Sequence, residues 1–369
     1  MKAPHICLDN FYGSNFSLPL ESELLIGFFE HRTFGFTTSH IEDEMKISIV
    51  MPTYNGMNYL DQAVSSVLSQ NHQDWELIVS DDCSKDETRQ YLATLKDPRI
   101  KVHFQPANLG IFGNLNFLFT QVGSEITQIL CQDDYFVDEG SLERLISEWS
   151  RLGPEISFLR CNHLLDAFSR HALFEGQVLP PIVTPEKSDL YFFIFGCIPG
   201  NLSNVSVRTE AVKRAGWFRT DLPYAGDFEF WSRLGHTSPW AISKTKVAKV
   251  RSHAGQASAN LNRAGELLPQ MREVLERLYQ SVASKGYSPA LLRLEATINY
   301  ISQHRDRGVK AVIKGGQSRY LRQVATELDS SSFSFGPFLG WLIFFGSLGG
   351  RFFSNSVAKQ LLKENPSTP

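Results

Sequence analysis

Asp133 and Asp134 sit side by side at the end of the apolar run 126–130, in the segment ILCQDD. An acid pair at a strand end can hold a hard divalent cation, Mg²⁺ or Mn²⁺. Such a cation neutralises phosphate oxygens bound beside it. The same residue types also cap helices and make turns. A second pair, Asp81 and Asp82, opens DDCSKD, where a carboxylate can accept from a base N–H or a ribose hydroxyl. Its plainer use is a polar loop before a helix. Tyr54, between Thr53 and Asn55, carries a ring that can pack on a nucleobase or lie at a sheet edge. Asn108, Gly110 and Asn116 can shape a nucleotide-facing loop, or simply a turn before a helix. Asp227 follows a loop containing Pro223 and Gly226, and can take a proton from a hydroxyl. With Glu229 it can also serve as a first-turn helix acid. His253 in VRSH is either a neutral imidazole ligand for a metal or an ordinary histidine.

These groups need elements that bring them together. KISIVM at 46–51 reads as a buried strand, followed by Leu60, Val64, Val67 and Leu68 at helical spacing. Further strands are predicted at 76–80, 100–104 and 126–130, and further helices at 112–122 and 141–149. Strands alternating with helices imply βαβ units and a mostly parallel sheet. Ligands of such sheets sit beyond the carboxyl ends of the strands. The four polar clusters each follow a predicted strand, so they should converge on one crevice. Short helices are predicted at 208–215, ending at Gly216, and at 227–234. Two or three amphipathic helices are predicted over 265–328.

Composition narrows the classes. The 369 residues suffice for one large or two modest domains. A net charge of -3 argues against wholesale nucleic-acid binding. Five cysteines without a CxxC pair speak against a zinc ribbon or a disulfide framework. With no secretory pattern at the N-terminus, the reading places the chain in the cytoplasm.

Taken together, ISIVMPTYNG, WELIVSDDCSKDET, NLGIFGNLN and ILCQDD resemble the nucleotide-binding half of the family 2 glycosyltransferases. PGNLSNVSVR, GWFRTDLPYAGDFEFW and VRSHAGQAS extend the resemblance to residue 260. It implies an α/β GT-A fold and inverting transfer of a sugar from a nucleotide diphosphate-sugar, of UDP or dTDP type, to a hydroxyl acceptor. Tyr54 and Asp82, with Asp81 beside them, match positions that hold the base. Asp133 matches the last aspartate of the DXD metal motif, next to Asp134, and His253 the histidine completing the metal site. Asp227 matches the catalytic base, while Gly200 and Asn201 match a loop beside the donor sugar. One position departs: Cys131 stands where the motif begins with aspartate, removing the carboxylate expected at the ribose. That departure keeps a second reading open, a catalytically inactive nucleotide- or carbohydrate-binding module. A sugar nucleotidyltransferase fits less well, because MPTYNGMNYLDQ has no Lys or Arg for a triphosphate.

The expected organisation is an N-terminal extension at 1–44, a catalytic domain at 45–260, a helical region at 261–329 and an apolar tail at 330–369. Residues 330–350 carry no charge and follow a basic stretch at 305–322. This pattern predicts an interfacial or re-entrant contact with a membrane; the alternatives are a buried helical hairpin packed on the catalytic domain, or a dimer contact. The acceptor implied by the family is a glycan or a lipid-linked sugar of surface polysaccharide synthesis. The setting is then the inner face of the cell membrane.

Overall fold

The computed structural model describes residues 45–163, 170–253, 265–316, 318–350 and 353–364. The proposed 1–44 extension and the end of the VRSHAGQAS run lie outside them. An eight-stranded sheet forms the centre, in the order β3-β2-β1-β4-β8-β6-β9-β7. Its first part is β1 (Ile47–Thr53), β2 (Trp75–Asp81), β3 (Ile100–Phe104) and β4 (Ile126–Ile129), all parallel. β6 (Phe158–Arg160), β7 (Ile182–Val183), β8 (Val205–Arg208) and β9 (Trp240–Ile242) complete it. The antiparallel pairings lie in this second part, where β8 joins β4 and β6, and β7 joins β9.

Strand alternation sorts side chains into two cores. Every residue of β1 is buried, as a central parallel strand requires. Ile47, Ile49 and Met51 face one layer, formed by α1 (Met57–Leu68) and α4 (Ser141–Ser150). Helix α1 buries Leu60, Ala63, Val64 and Val67, the helical spacing read from the sequence. Val50 faces the other layer, with α3 (Gly110–Gln121), α6 (Pro185–Phe195) and α8 (Gly226–Thr237). The remaining helices of this part are α2 (Thr88–Thr94), α5 (Arg170–Val178) and α7 (Thr209–Ala215). Helix α7 stops at Gly216, whose φ of +84 makes the left-handed cap expected of glycine.

The C-terminal region is helical, as expected. It comprises α9 (Leu267–Ser284), α10 (Pro289–Glu295), α11 (Ser302–Gly315), α12 (Arg319–Gln323), α13 (Gly336–Gly346) and α14 (Ser354–Lys363). A π-helical turn, Ala296–Ile301, fuses α10 to α11. Leu268, Leu275 and Leu278 of α9 share a core with Phe192 and Phe228 of the sheet layer. The apolar stretch 330–350 yields only the 11-residue α13, opened by Pro337 in its first turn. No helix among the described residues is long and apolar enough to cross a membrane.

Candidate active site

The carboxyl ends of β3, β2, β1 and β4 lie side by side, so their following loops meet. Thr53 pairs in register with Asp81, and Asp81 with Phe104. Three loops are then stitched together by hydrogen bonds. Asn55 N donates to Ser84 Oγ (2.8 Å), and Lys85 N donates back to Asn55 Oδ1 (2.8 Å). Asp82 Oδ1 accepts from Leu109 N (2.6 Å), and Asn108 Nδ2 donates to the Asp82 carbonyl (3.2 Å). Asn55 and Gly110 adopt positive φ, +47 and +72, which Asn and Gly tolerate best.

This corner redistributes the expected roles. The Asp81 and Asp82 carboxylates are buried. Asp81 Oδ2 accepts from Ser84 N and lies 3.3 Å from Arg89 Nε, while Oδ1 has no hydrogen-bond partner among the described residues. Burial, with Asp81 alongside, raises the Asp82 carboxyl above its ordinary value, although the backbone N–H groups of Leu109 and Gly110 oppose this. Thr53 is buried too, whereas Tyr54 is 46% exposed at the mouth. Asn108 and Gly110 are also exposed. Asn116 sits inside α3, where its amide both donates to and accepts from the Phe218 backbone (2.8 and 2.9 Å). It anchors the chain leading towards Asp227 and is not part of a nucleotide-facing loop.

The acid pair after β4 divides its labour. A two-stranded ribbon, β5 (Tyr135–Phe136) with β10 (Ala248–Lys249), brings 251–253 against Asp133 and Asp134. His253 Nε2 lies 2.9 Å from Asp133 Oδ2, uniting residues 120 positions apart. Asp134 is fully buried beneath them. Its Oδ2 accepts from Ser203 Oγ (2.6 Å) and its Oδ1 from Arg251 N (2.9 Å). Burial first, then the Asp133 charge, pushes the Asp134 carboxyl up to about 7. The Arg251 guanidinium reaches the Asp133 carbonyl and stacks over Tyr135, 4.5 Å from the ring centre. Ligand atoms of Cys131, Asp133 and Asp134 lie within 4.8 Å of one another. The carboxylates suit a hard cation, but the Cys131 thiol does not. Burial raises that thiol well above its ordinary value, so it stays protonated.

Gly200 and Asn201 lie on the segment joining this cluster to Asp227. Asn201 caps the short turn Leu202–Asn204, accepting from Ser203 N (2.8 Å), and so sets Ser203 under Asp134. Gly200 N donates to the Cys197 carbonyl (3.0 Å), and the Cys197 thiol feels the charge of Asp227. Asp227 occupies the first turn of α8 and accepts from Phe228 N (2.7 Å). Burial lifts its carboxyl to about 6. Gly226 before it is closely packed: a Cβ there would meet the Phe112 ring at 2.5 Å, so the ring would have to shift.

Sequence reading missed Ser203, Gln132 and Arg251. Gln132 clamps Tyr54 through both its N (2.7 Å) and its carbonyl (2.9 Å). The polar residue between Cys131 and Asp133 was its only local signal.

Comparison with known proteins agrees with this architecture. Residues 48–166 match the model of "Glycosyl transferase family 2". An uncharacterized glycosyltransferase of Haemophilus influenzae is 29% identical over 171 residues, 45% of this chain and 64% of that protein. The Escherichia coli enzyme WfgD is named a UDP-Glc:alpha-D-GlcNAc-diphosphoundecaprenol beta-1,3-glucosyltransferase. It is 30% identical over 167 residues, 45% of this chain and 62% of its own length. The chain thus spans less than two thirds of these relatives. S. aureus TarS 1-349, solved in complex with UDP-GlcNAc, shares the fold. Its TM-score is 0.57 at 17% identity, covering 86% of this chain and 91% of that one. Residues 48–166 thus match glycosyl transferase family 2, within a chain of GT-A fold.

Proposed function

We propose that the protein transfers a sugar, with inversion, from a nucleotide diphosphate-sugar of UDP or dTDP type to a hydroxyl of a glycan or lipid-linked acceptor. The observation that carries this reading is the acid–histidine pair of Asp133 and His253 at the mouth of a sheet whose residues 48–166 match the family 2 model; Asp227, on α8, adds a carboxyl raised by burial. Asp133 and His253 would hold Mn²⁺ or Mg²⁺, with Asp134 anchoring Arg251, whose guanidinium reaches the Asp133 carbonyl. Bound there, the cation supplies positive charge to the departing diphosphate. Tyr54 offers its ring to the base, beside the loops built on Asp81 and Asp82. Gly200 and Asn201 line the donor sugar.

Asp227, deprotonated above about pH 6, accepts the proton of the acceptor hydroxyl. The hydroxyl oxygen bonds to the anomeric carbon as the bond to the diphosphate breaks, in one in-line displacement. The name of WfgD supports an acceptor carried on a lipid diphosphate, and the setting proposed for it is surface glycan synthesis at the inner face of the membrane. Cys131, standing where the metal motif begins with an aspartate, favours one rival, a binding module without turnover.

The test is a thermal-shift screen of nucleotide sugars with Mn²⁺, followed by release of the nucleoside diphosphate with acceptor present. Stabilisation by a UDP- or dTDP-sugar that depends on Mn²⁺ and is lost in Asp133→Ala is expected. Unchanged donor affinity in a folded Asp133→Ala protein rules out the metal assignment. Donor binding without turnover on any acceptor selects the rival.

A further inference from the structure

Helix α13 is apolar all round. Its inner side buries Gly340 and Phe344, yet its outer side is open: Phe338 is 79% exposed, Leu342 55% and Phe345 66%. These positions follow the i, i+4, i+7 spacing of one helical stripe. Leu348 (61%) and Phe353 (64%), just beyond the helix, are exposed as well. A continuous apolar stripe of this kind marks an interaction face.

The charge around it selects the partner. Between 302 and 350 there are six basic residues and three acids, in a chain whose net charge is -3. Each acid is paired: Asp306 with Lys310, Glu327 with Arg272 and Asp329 with Arg305. Lys314, Arg319 and Arg322 are exposed and make no ion pair among the described residues. A cavity of about 260 Å³ ties this basic segment to α13, for Arg305, Ser318, Arg322 and Trp341 line it together. Arg305 is wholly buried, donates to the Gly340 carbonyl (2.8 Å) and lies 5.3 Å from the Trp341 ring centre. It thereby fixes the pitch of α13 against α11. Its Nε faces no partner among the described residues.

We propose that the outer face of α13, with Lys314, Arg319 and Arg322, docks on an anionic phospholipid bilayer. At 11 residues the helix is about 16 Å long, against a hydrocarbon core of roughly 30 Å. It therefore lies in the plane of the interface. Phe338, Leu342 and Phe345 enter the acyl region, and the basic residues meet the headgroups. This surface lies in the C-terminal helices and does not depend on which sugar, if any, the catalytic half transfers.

The experiment is flotation of the full chain with phosphatidylcholine vesicles, with and without phosphatidylglycerol, at low and high salt. Binding to the anionic vesicles that weakens with salt is expected. Lys314→Gln, Arg319→Gln and Arg322→Gln together should lower partitioning roughly a hundredfold, from about 1 kcal/mol per charge. Phe338→Ser, Leu342→Ser and Phe345→Ser should each lower it about tenfold or more. All six positions are exposed, so the variants should fold. Circular dichroism and nucleotide-sugar thermal shifts check this apart from lipid binding. Wild-type protein that ignores anionic vesicles, or serine variants that bind as well as wild type, overturns the proposal. So does a wild-type dimer that the serine variants split without any vesicle binding, since a second copy then covers the face.

Discussion

Asp227→Asn tests the site twice, because a desolvated base carries a stability cost as well as a rate. The carboxyl rises from an ordinary 3.8 to about 6. At about 1.4 kcal/mol per pKa unit, the folded protein loses about 3 kcal/mol by ionising it. The sign follows from the raised value. Below pH 4 the group is protonated in both folded and unfolded chains, and the penalty is absent. Between about pH 4 and pH 6 the unfolded chain gives up the proton first, so stability falls. Above about pH 6 both states are ionised and the deficit is constant. Asparagine keeps the shape, and its carbonyl can still accept from Phe228 N, but it never ionises. The variant should therefore match wild type near pH 4 and be more stable by up to about 3 kcal/mol at pH 8, read from denaturant midpoints. Turnover should fall about 10²–10⁴-fold with donor binding intact. Wild-type turnover should rise with pH through about 6 and then level off. Normal turnover in the variant moves the base elsewhere, with Glu229 the next carboxylate on α8. A slow variant with no stability gain at pH 8 refutes the desolvation.

The supporting residues give sharper controls. Ser203→Ala removes the donor to Asp134 and the acceptor of Cys131 N (2.9 Å) at a buried position. It should cost about 1–3 kcal/mol in unfolding free energy and weaken Mn²⁺-dependent nucleotide binding; no change in either discounts the bridge. Gly226→Ala places a methyl group against Phe112, which is stacked on Phe218 (5.5 Å between ring centres). Overpacking of about 1–3 kcal/mol and reduced turnover are expected, since the start of α8 carries Asp227. A stable, fully active variant shows that the Phe112 ring yields.

Much of the fold was readable because its signals are local. Buried strands such as β1 announce themselves by β-branched runs, and α1 by apolar residues at helical spacing. Once four parallel strands are recognised, the rule that ligands sit beyond their carboxyl ends gathers Tyr54, Asp82, Asn108 and Asp133 without coordinates. The GT-A fold and the likeness of residues 48–166 to family 2 were therefore legible in the chain. The apolar stretch 330–350 was legible as a surface or buried segment, but not its outcome as one short helix. Pro337 and the glycines limit its length, and Arg305 beneath Gly340 seats it.

What residue types and spacing determined, then, is which groups lie at the mouth of the sheet. What only the tertiary structure decided is what each group does there. As residue types, Asp133 and Asp134 are the same. They become an accessible acid facing His253 and a buried acid held by Ser203 and Arg251, because partners 120, 69 and 117 residues away are folded against them. Asp82 likewise becomes a loop anchor through Leu109, and Asn116 a clamp on Phe218. Hydrogen-bond partners this distant leave no period in the chain. Burial, which sets whether Asp227 ionises near 4 or near 6, is a property of the packed fold and not of the residue.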